Sequence, residues 1–309
     1  MFYLPEALMS FKSRSAVAVL VALSVAACSG SNAEAGEHEG HDSAAAAPVG
    51  GSAGSADSGA APSAANASQR LAASPRHGEW AMIPAGAGDS VRAWVVYPES
   101  DSKAPVVVVV HEIFGLSSWI RAVADQLAAD GFIAIAPDLL TGTYTMNNPN
   151  DTLSADSARA LIRTVDQADV QRRIAAAARY GMALPAAQPH YGVVGFCWGG
   201  SASFAQAVAG APELGAAVVY YGTPPAADEL ARVHAPVLGL YGQNDARVTS
   251  TIPATDSTLK ALGKTYEHFV FDGAGHGFLR AQDGQDGANK AAADAAWPKT
   301  VEWFGKYLR

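Results

Sequence analysis

The 309-residue chain carries a formal net charge of −8, is 49% hydrophobic and only 16% charged, and holds two cysteines, Cys28 and Cys197. That apolar content excludes a wholly disordered protein, and an acidic chain without a basic block excludes a nucleic-acid partner. Two cysteines permit neither a disulfide scaffold nor a four-cysteine zinc site.

The first predicted element is an address. Ala16 to Ala27 is an uncharged apolar run preceded by Lys12 and Arg14. A membrane-spanning helix needs roughly 20 apolar residues, so this shorter run reads as the core of a secretory signal, residues 1–27. Its end, Val25-Ala26-Ala27-Cys28, resembles the lipobox of bacterial lipoproteins, which implies cleavage before Cys28 and lipidation of that residue. Several acyl chains give stable anchoring where one is marginal. The expectation is an exported, membrane-anchored protein facing the periplasm, with Ser29 after the cysteine pointing to the outer membrane. Pro5 and Glu6 suit a signal's start poorly, which makes Met9 an alternative first residue.

Residues 28–75 are almost entirely Ala, Gly, Ser, Asp, Asn, Glu and Pro, a composition that cannot offset ordering entropy and predicts a disordered tether. As a flexible coil of about 46 residues it would span roughly 35–40 Å. Within it, Glu37-His38-Glu39-Gly40-His41-Asp42 combines two histidines with carboxylates. Lacking a folded frame to fix coordination geometry, it reads as a solvated acidic linker, and no metal site is expected.

From residue 76 to 309 strands and helices alternate, predicting a single α/β domain with a mostly parallel central sheet and helices on both faces. Predicted strands are Val91 to Tyr97, Pro105 to His111, Phe132 to Ala136, Tyr191 to Phe196, Ala216 to Tyr221, Pro236 to Tyr241 and Tyr266 to Phe271. The run Pro105 to His111 (PVVVVVH) is continuously β-branched, as in a strand covered on both faces. Helices are predicted around Ser118 to Ala129, Ala155 to Tyr180, Gly200 to Ala209 and Thr255 to Leu262. Trp297, Val301, Phe304 and Leu308 form one apolar stripe on a last helix that Pro298 either starts or kinks.

Functional loops in such sheets follow the carboxyl ends of the strands. One strand end reads Gly195-Phe196-Cys197-Trp198-Gly199-Gly200, the G-x-nucleophile-x-G elbow of α/β hydrolases with Cys in the place of Ser. Chain order then calls for an acid and a histidine downstream. Asp245, just past a strand in Tyr241-Gly242-Gln243-Asn244-Asp245, is better placed than Asp228, Asp256 or Asp272. His276 is the one histidine in a glycine-rich loop after the last strand, Gly273-Ala274-Gly275-His276-Gly277-Phe278.

Together with His111-Glu112-Ile113-Phe114-Gly115, these motifs resemble the dienelactone hydrolase family over the whole domain. The resemblance implies Cys197 as nucleophile, His276 as base and then acid, and Asp245 as the residue orienting the imidazole. It implies the backbone N–H groups of Ile113 and Trp198 as an oxyanion hole, and Glu112 as the carboxylate contacting the resting thiol until substrate disturbs it. Arg280 would bind a substrate carboxylate, aided by a second arginine, Arg159 or Arg163, between which spacing does not choose. The insert Thr141 to Asp156 is expected to shape the site.

The reading is therefore a cysteine-dependent hydrolase opening small lactones or esters, acting as a monomer and without metal or organic cofactor. Two rivals stand beside it: a membrane-tethered binding or scaffold protein on an inactive hydrolase fold, and a one-cysteine redox protein. Retention of all three triad residue types in order counts against the first, and the lack of a resolving cysteine in the domain against the second.

Overall fold

The computed structural model describes residues 59–145, 153–209 and 211–309. The signal-like run, Cys28 and the histidine–carboxylate cluster at 37–42 lie outside the described residues, as does the middle of the insert expected between 141 and 156.

Eight strands form one sheet: β1 (Gly78–Gly86), β2 (Asp89–Val96), β3 (Ala104–Val110), β4 (Ile133–Pro137), β5 (Ala187–Phe196), β6 (Leu214–Tyr220), β7 (Val237–Gly242) and β8 (Tyr266–Phe271). They lie in the order β1-β2-β4-β3-β5-β6-β7-β8. β1 and β2 pair antiparallel, as do β2 and β4, whereas every pairing from β4 through β3 to β8 is parallel. The α/β expectation therefore holds, with an antiparallel hairpin at one edge.

The valine run explains the centre of the molecule. Successive side chains of a strand point to opposite faces. Val107 and Val109 join the core that holds α2 (Ser118–Ala129) and α8 (Ala288–Leu308), while Val106, Val108 and Val110 join the one that holds α4 (Gln167–Met182) and α5 (Trp198–Ala209). All of β3 is buried. Each such side chain stabilises the fold by roughly 1.5–3 kcal/mol relative to exposure.

Two expectations change, and one open alternative is decided. The long helix predicted from Ala155 to Tyr180 is two helices, α3 (Ala155–Leu161) and α4, joined by a short 3-10 turn. The break comes at Val165 and Asp166, both extended, because the Asp166 carboxylate accepts the N–H groups of Ala168 and Asp169 and so caps α4. Pro298 lies inside α8, which begins at Ala288, rather than starting it.

The second change moves the domain boundary. Residues 59–75, expected as tether, are part of the folded unit and include α1 (Ala67–Ala73). Ala61 and Ala67 are buried in the core, and Trp119 Nε1 on α2 donates to the Pro62 carbonyl at 2.8 Å. Farther on, Ser74 and Arg76 both bond the buried Asp125 of α2. Small side chains suit close packing against α2 as well as they suit a linker, so composition could not separate the two.

Candidate active site

Cys197 occupies the turn between β5 and α5 at φ +57°, a left-handed conformation that a residue with a Cβ rarely adopts. Three glycines permit that turn. A Cβ on Gly195 would lie 1.9 Å from the Gly199 carbonyl oxygen, one on Gly199 2.3 Å from that of His111, and one on Gly200 2.5 Å from that of Tyr220. The elbow is thus wedged between the ends of β3 and β6, and the Cys197 N–H donates to Tyr220 O at 3.1 Å.

His276 and Asp245 meet as their order suggested. The His276 Nδ1 lies 2.5 Å from Asp245 Oδ2. A carboxylate only accepts, so Nδ1 carries the proton and Nε2 is left as a lone-pair base. Asp245 is buried and opens the short helix α6 (Ala246–Thr249), its carbonyl accepting from Val248 and Thr249. The loops carrying the pair are laced together: Asn244 N–H donates to Ala274 O, Asn244 Nδ2 to Gly273 O, and Gly273 N–H to Gln243 Oε1. Among the described residues, no hydrogen bond or ion pair joins Asp228, Asp256 or Asp272 to His276. Among the hydrogen bonds of the described residues, none joins the Cys197 thiol to the imidazole.

Glu112 and Arg280 come together as well. Arg280 Nε sits 2.8 Å from Glu112 Oε2, the carboxylate buried and the guanidinium partly exposed. Burial raises the Glu112 carboxyl to about 7, against the pull of Arg280. Burial, and then the charge of Glu112, likewise pushes the Cys197 thiol up, opposed by the Trp198 N–H and by Arg247. The resting thiol is therefore protonated at neutral pH and needs a base before it can attack.

His111 fixes the loop that holds Glu112 and Ile113. The Leu139 N–H donates to His111 Nε2 at 3.1 Å, so the ring is protonated at Nδ1, which donates to the Glu112 carbonyl at 2.7 Å. Full burial lowers its basicity and keeps the ring neutral.

Two adjoining chambers lie at the site, the first containing the thiol. One, of about 470 Å³, is lined by Cys197, Ser201, Tyr221, Thr223 and Arg247 among others; the second, of about 450 Å³, by Ile113, Arg159, Ile162 and Arg163. They share Trp198 and Gln167. The Arg159 and Arg280 guanidinium groups lie 4.9 and 4.8 Å from the Phe114 ring, a juxtaposition that singles out Arg159 over Arg163 as Arg280's neighbour. Tyr144 and Leu153, on the flanks of the insert, pack against the same small cluster of Leu140, Ala158 and Ile162 that Ile113 and Trp198 pack against.

Sequence reasoning passed over Tyr221, Phe114 and Arg247. Tyr221, buried at φ +40°, packs edge-on to His276 with ring centroids 5.1 Å apart and points its hydroxyl toward Glu112 Oε1 at 3.5 Å. Its place at the end of β6, directly before Gly222, was a signal of the same kind that marked Cys197.

A mostly parallel sheet with helices on both faces and a glycine-wedged elbow after a central strand defines the α/β-hydrolase class. Within that class the chain belongs to the dienelactone hydrolase family, whose model matches residues 91–308. It is 32% identical over 233 residues to a "Putative carboxymethylenebutenolidase" of Salmonella typhimurium, covering 71% of this chain and 84% of that protein. It is 28% identical over 234 residues to a "Probable 2-oxo-3-(5-oxofuran-2-ylidene)propanoate lactonase" of Bradyrhizobium sp, covering 72% and 91%. Among solved structures it resembles a "Putative Dienelactone Hydrolase" from Klebsiella pneumoniae subsp. pneumoniae at 30% identity and a TM-score of 0.65, covering 75% of this chain and 99% of that one. The domain is a carboxylic ester hydrolase of the lactone- and ester-opening kind.

Proposed function

We propose that the domain opens small carboxylate-bearing lactones or esters through a Cys197–His276–Asp245 triad and a thioester intermediate. The observation that carries this is the His276–Asp245 pair, which leaves Nε2 of the neutral ring as a base, together with a thiol held on a strained elbow. Arg280 and Arg159, both within about 5 Å of the Phe114 ring, supply guanidinium groups for a substrate carboxylate. The lactonase name of the Bradyrhizobium relative describes a lactone that bears such a group.

The chemistry runs as follows. A substrate carboxylate drawing on Arg280 weakens its pairing with Glu112, and the thiol proton passes to His276 Nε2. The thiolate adds to the acyl carbon, and the N–H groups of Ile113 and Trp198 take the oxyanion. The C–O bond breaks, the leaving oxygen departs with the proton from the imidazolium, and a Cys197 thioester remains. Water, deprotonated by His276, adds to the thioester, releases the acid and returns the proton to sulfur. In purified protein assayed on a dienelactone and on chromogenic esters, Cys197→Ala and His276→Ala should each lower kcat about 10³-fold or more with unchanged far-ultraviolet dichroism. Full activity in His276→Ala would overturn the triad.

The same reading makes the protein an exported lipoprotein held to a membrane through Cys28, supported by the lipobox-like Val25-Ala26-Ala27-Cys28. Cys28→Ala should move the protein from the membrane to the soluble fraction of a bacterial lysate; continued membrane attachment would refute lipidation.

A further inference from the structure

The whole chain is acidic, at −8, yet the residues lining the two chambers include Arg159, Arg163 and Arg247 and no carboxylate. The arginines differ in what they already hold. Arg159 pairs with Asp156 at 3.0 Å and Arg280 with Glu112 at 2.8 Å. Arg247 is exposed on the wall of the chamber that contains Cys197, and among the described residues no carboxylate pairs with its guanidinium.

Its base is rigid. Arg247 is the second residue of α6, whose first turn is anchored on the Asp245 carbonyl and on buried Val248. The segment that aims the Asp245 carboxylate at His276 therefore also sets where Arg247 stands. Ser201 Oγ and Thr223 Oγ1, which also line that chamber, form a hydroxyl pair at 3.0 Å and add neutral polar groups to it. Arg159 and Arg163 line the other chamber, and the two linings have only Gln167 and Trp198 in common.

Resting on the hydrolase reading above, we propose that Arg247 is a second anion-recognition residue, so that the preferred substrate carries a carboxylate at each end of the scissile ester or lactone. One carboxylate engages the arginines around Phe114 and the other engages Arg247 in the chamber that holds the thiol. A guanidinium is suited to this because its planar fork binds a carboxylate through two parallel hydrogen bonds. The favourable effect of Arg247 on the thiolate is consistent with a cation that faces the reacting centre.

Three esters test it: the succinyl monoester of 4-hydroxybenzoate, with a carboxylate at both ends, the succinyl monoester of phenol, and the acetyl ester of 4-hydroxybenzoate. The wild-type protein should show its lowest KM for the diacid. In Arg247→Gln the KM for the diacid should rise about tenfold or more beyond any rise for the less favoured monoacid, with Arg247→Lys restoring part of the preference. A diacid preference that survives Arg247→Gln, or an equal change for all three esters, would overturn the proposal. Absence of thiol-dependent hydrolysis of every ester by the wild-type protein would instead count against the hydrolase reading itself.

Discussion

The loops that follow β3 and β4 lie side by side, each buries a carboxylate, and they treat it in opposite ways. After β4, Asp138 is saturated: Arg92 pairs with it at 2.9 Å with both side chains almost fully enclosed, the Tyr144 hydroxyl donates at 2.6 Å, and the Leu140 N–H donates at 3.2 Å. After β3, among the described residues, Glu112 meets one cation on a partly exposed side and one hydroxyl at 3.5 Å. The first arrangement welds a loop in place, whereas the second leaves a buried carboxyl able to exchange a proton near neutrality. His111 ties the two loops together by bonding Leu139 on one side and the Glu112 carbonyl on the other. The saturated loop thus serves as the frame for the unsaturated one.

The sharpest way to break the contrast is to strip the saturated side. Arg92→Met leaves Asp138 buried without its cation, and unfolding in urea should show a loss of about 3–5 kcal/mol. A loss below about 1 kcal/mol would mean that the pair does not hold the loop.

Glu112→Gln probes the other side with a smaller, pH-dependent effect. The carboxyl moves from its usual 4.5 up to about 7 in the fold, so between those values the native state binds more protons than the unfolded chain. Its contribution to stability is complete below pH 4.5 and is lost as pH rises through 7. Relative to Glu112→Gln, the wild-type protein should therefore lose stability across that window, at no more than about 1.4 kcal/mol per pH unit. Parallel stability curves from pH 4.5 to 8 would show that Glu112 does not titrate in this way.

What could be read from residues alone follows the same physical divide. β3, the elbow at Cys197 and the loop at His276 were legible because burial on both faces demands β-branched residues and tight turns demand glycine. The hairpin strand β1 escaped notice. It is an edge strand with an irregular burial pattern and Met82 left exposed, so it lacks the strong period of a buried strand. The choice of Arg159 over Arg163 could not be made from spacing, because what separates them is a shared aromatic ring, Phe114, that comes from the distant loop after β3. Arg247 was invisible for the opposite reason. An exposed arginine two residues past an acid has no pattern of its own, and only the chamber beside Cys197 gives it meaning.

The early residues of the folded unit bear on how the domain would carry mechanical load. Ala64 N–H donates to the carbonyl of Arg280 at 2.8 Å, and Gln282 Nε2 reaches back to the carbonyl of Ala61. These bonds, with the Pro62 carbonyl held by Trp119, come before α1 and before any strand. Tension applied to the chain ahead of residue 59 would therefore reach side chains and peptides of the domain before it reached the sheet. The pull would meet Gln282 through Ala61, then α2 through Pro62, and then the peptide of Arg280 through Ala64, all before α1.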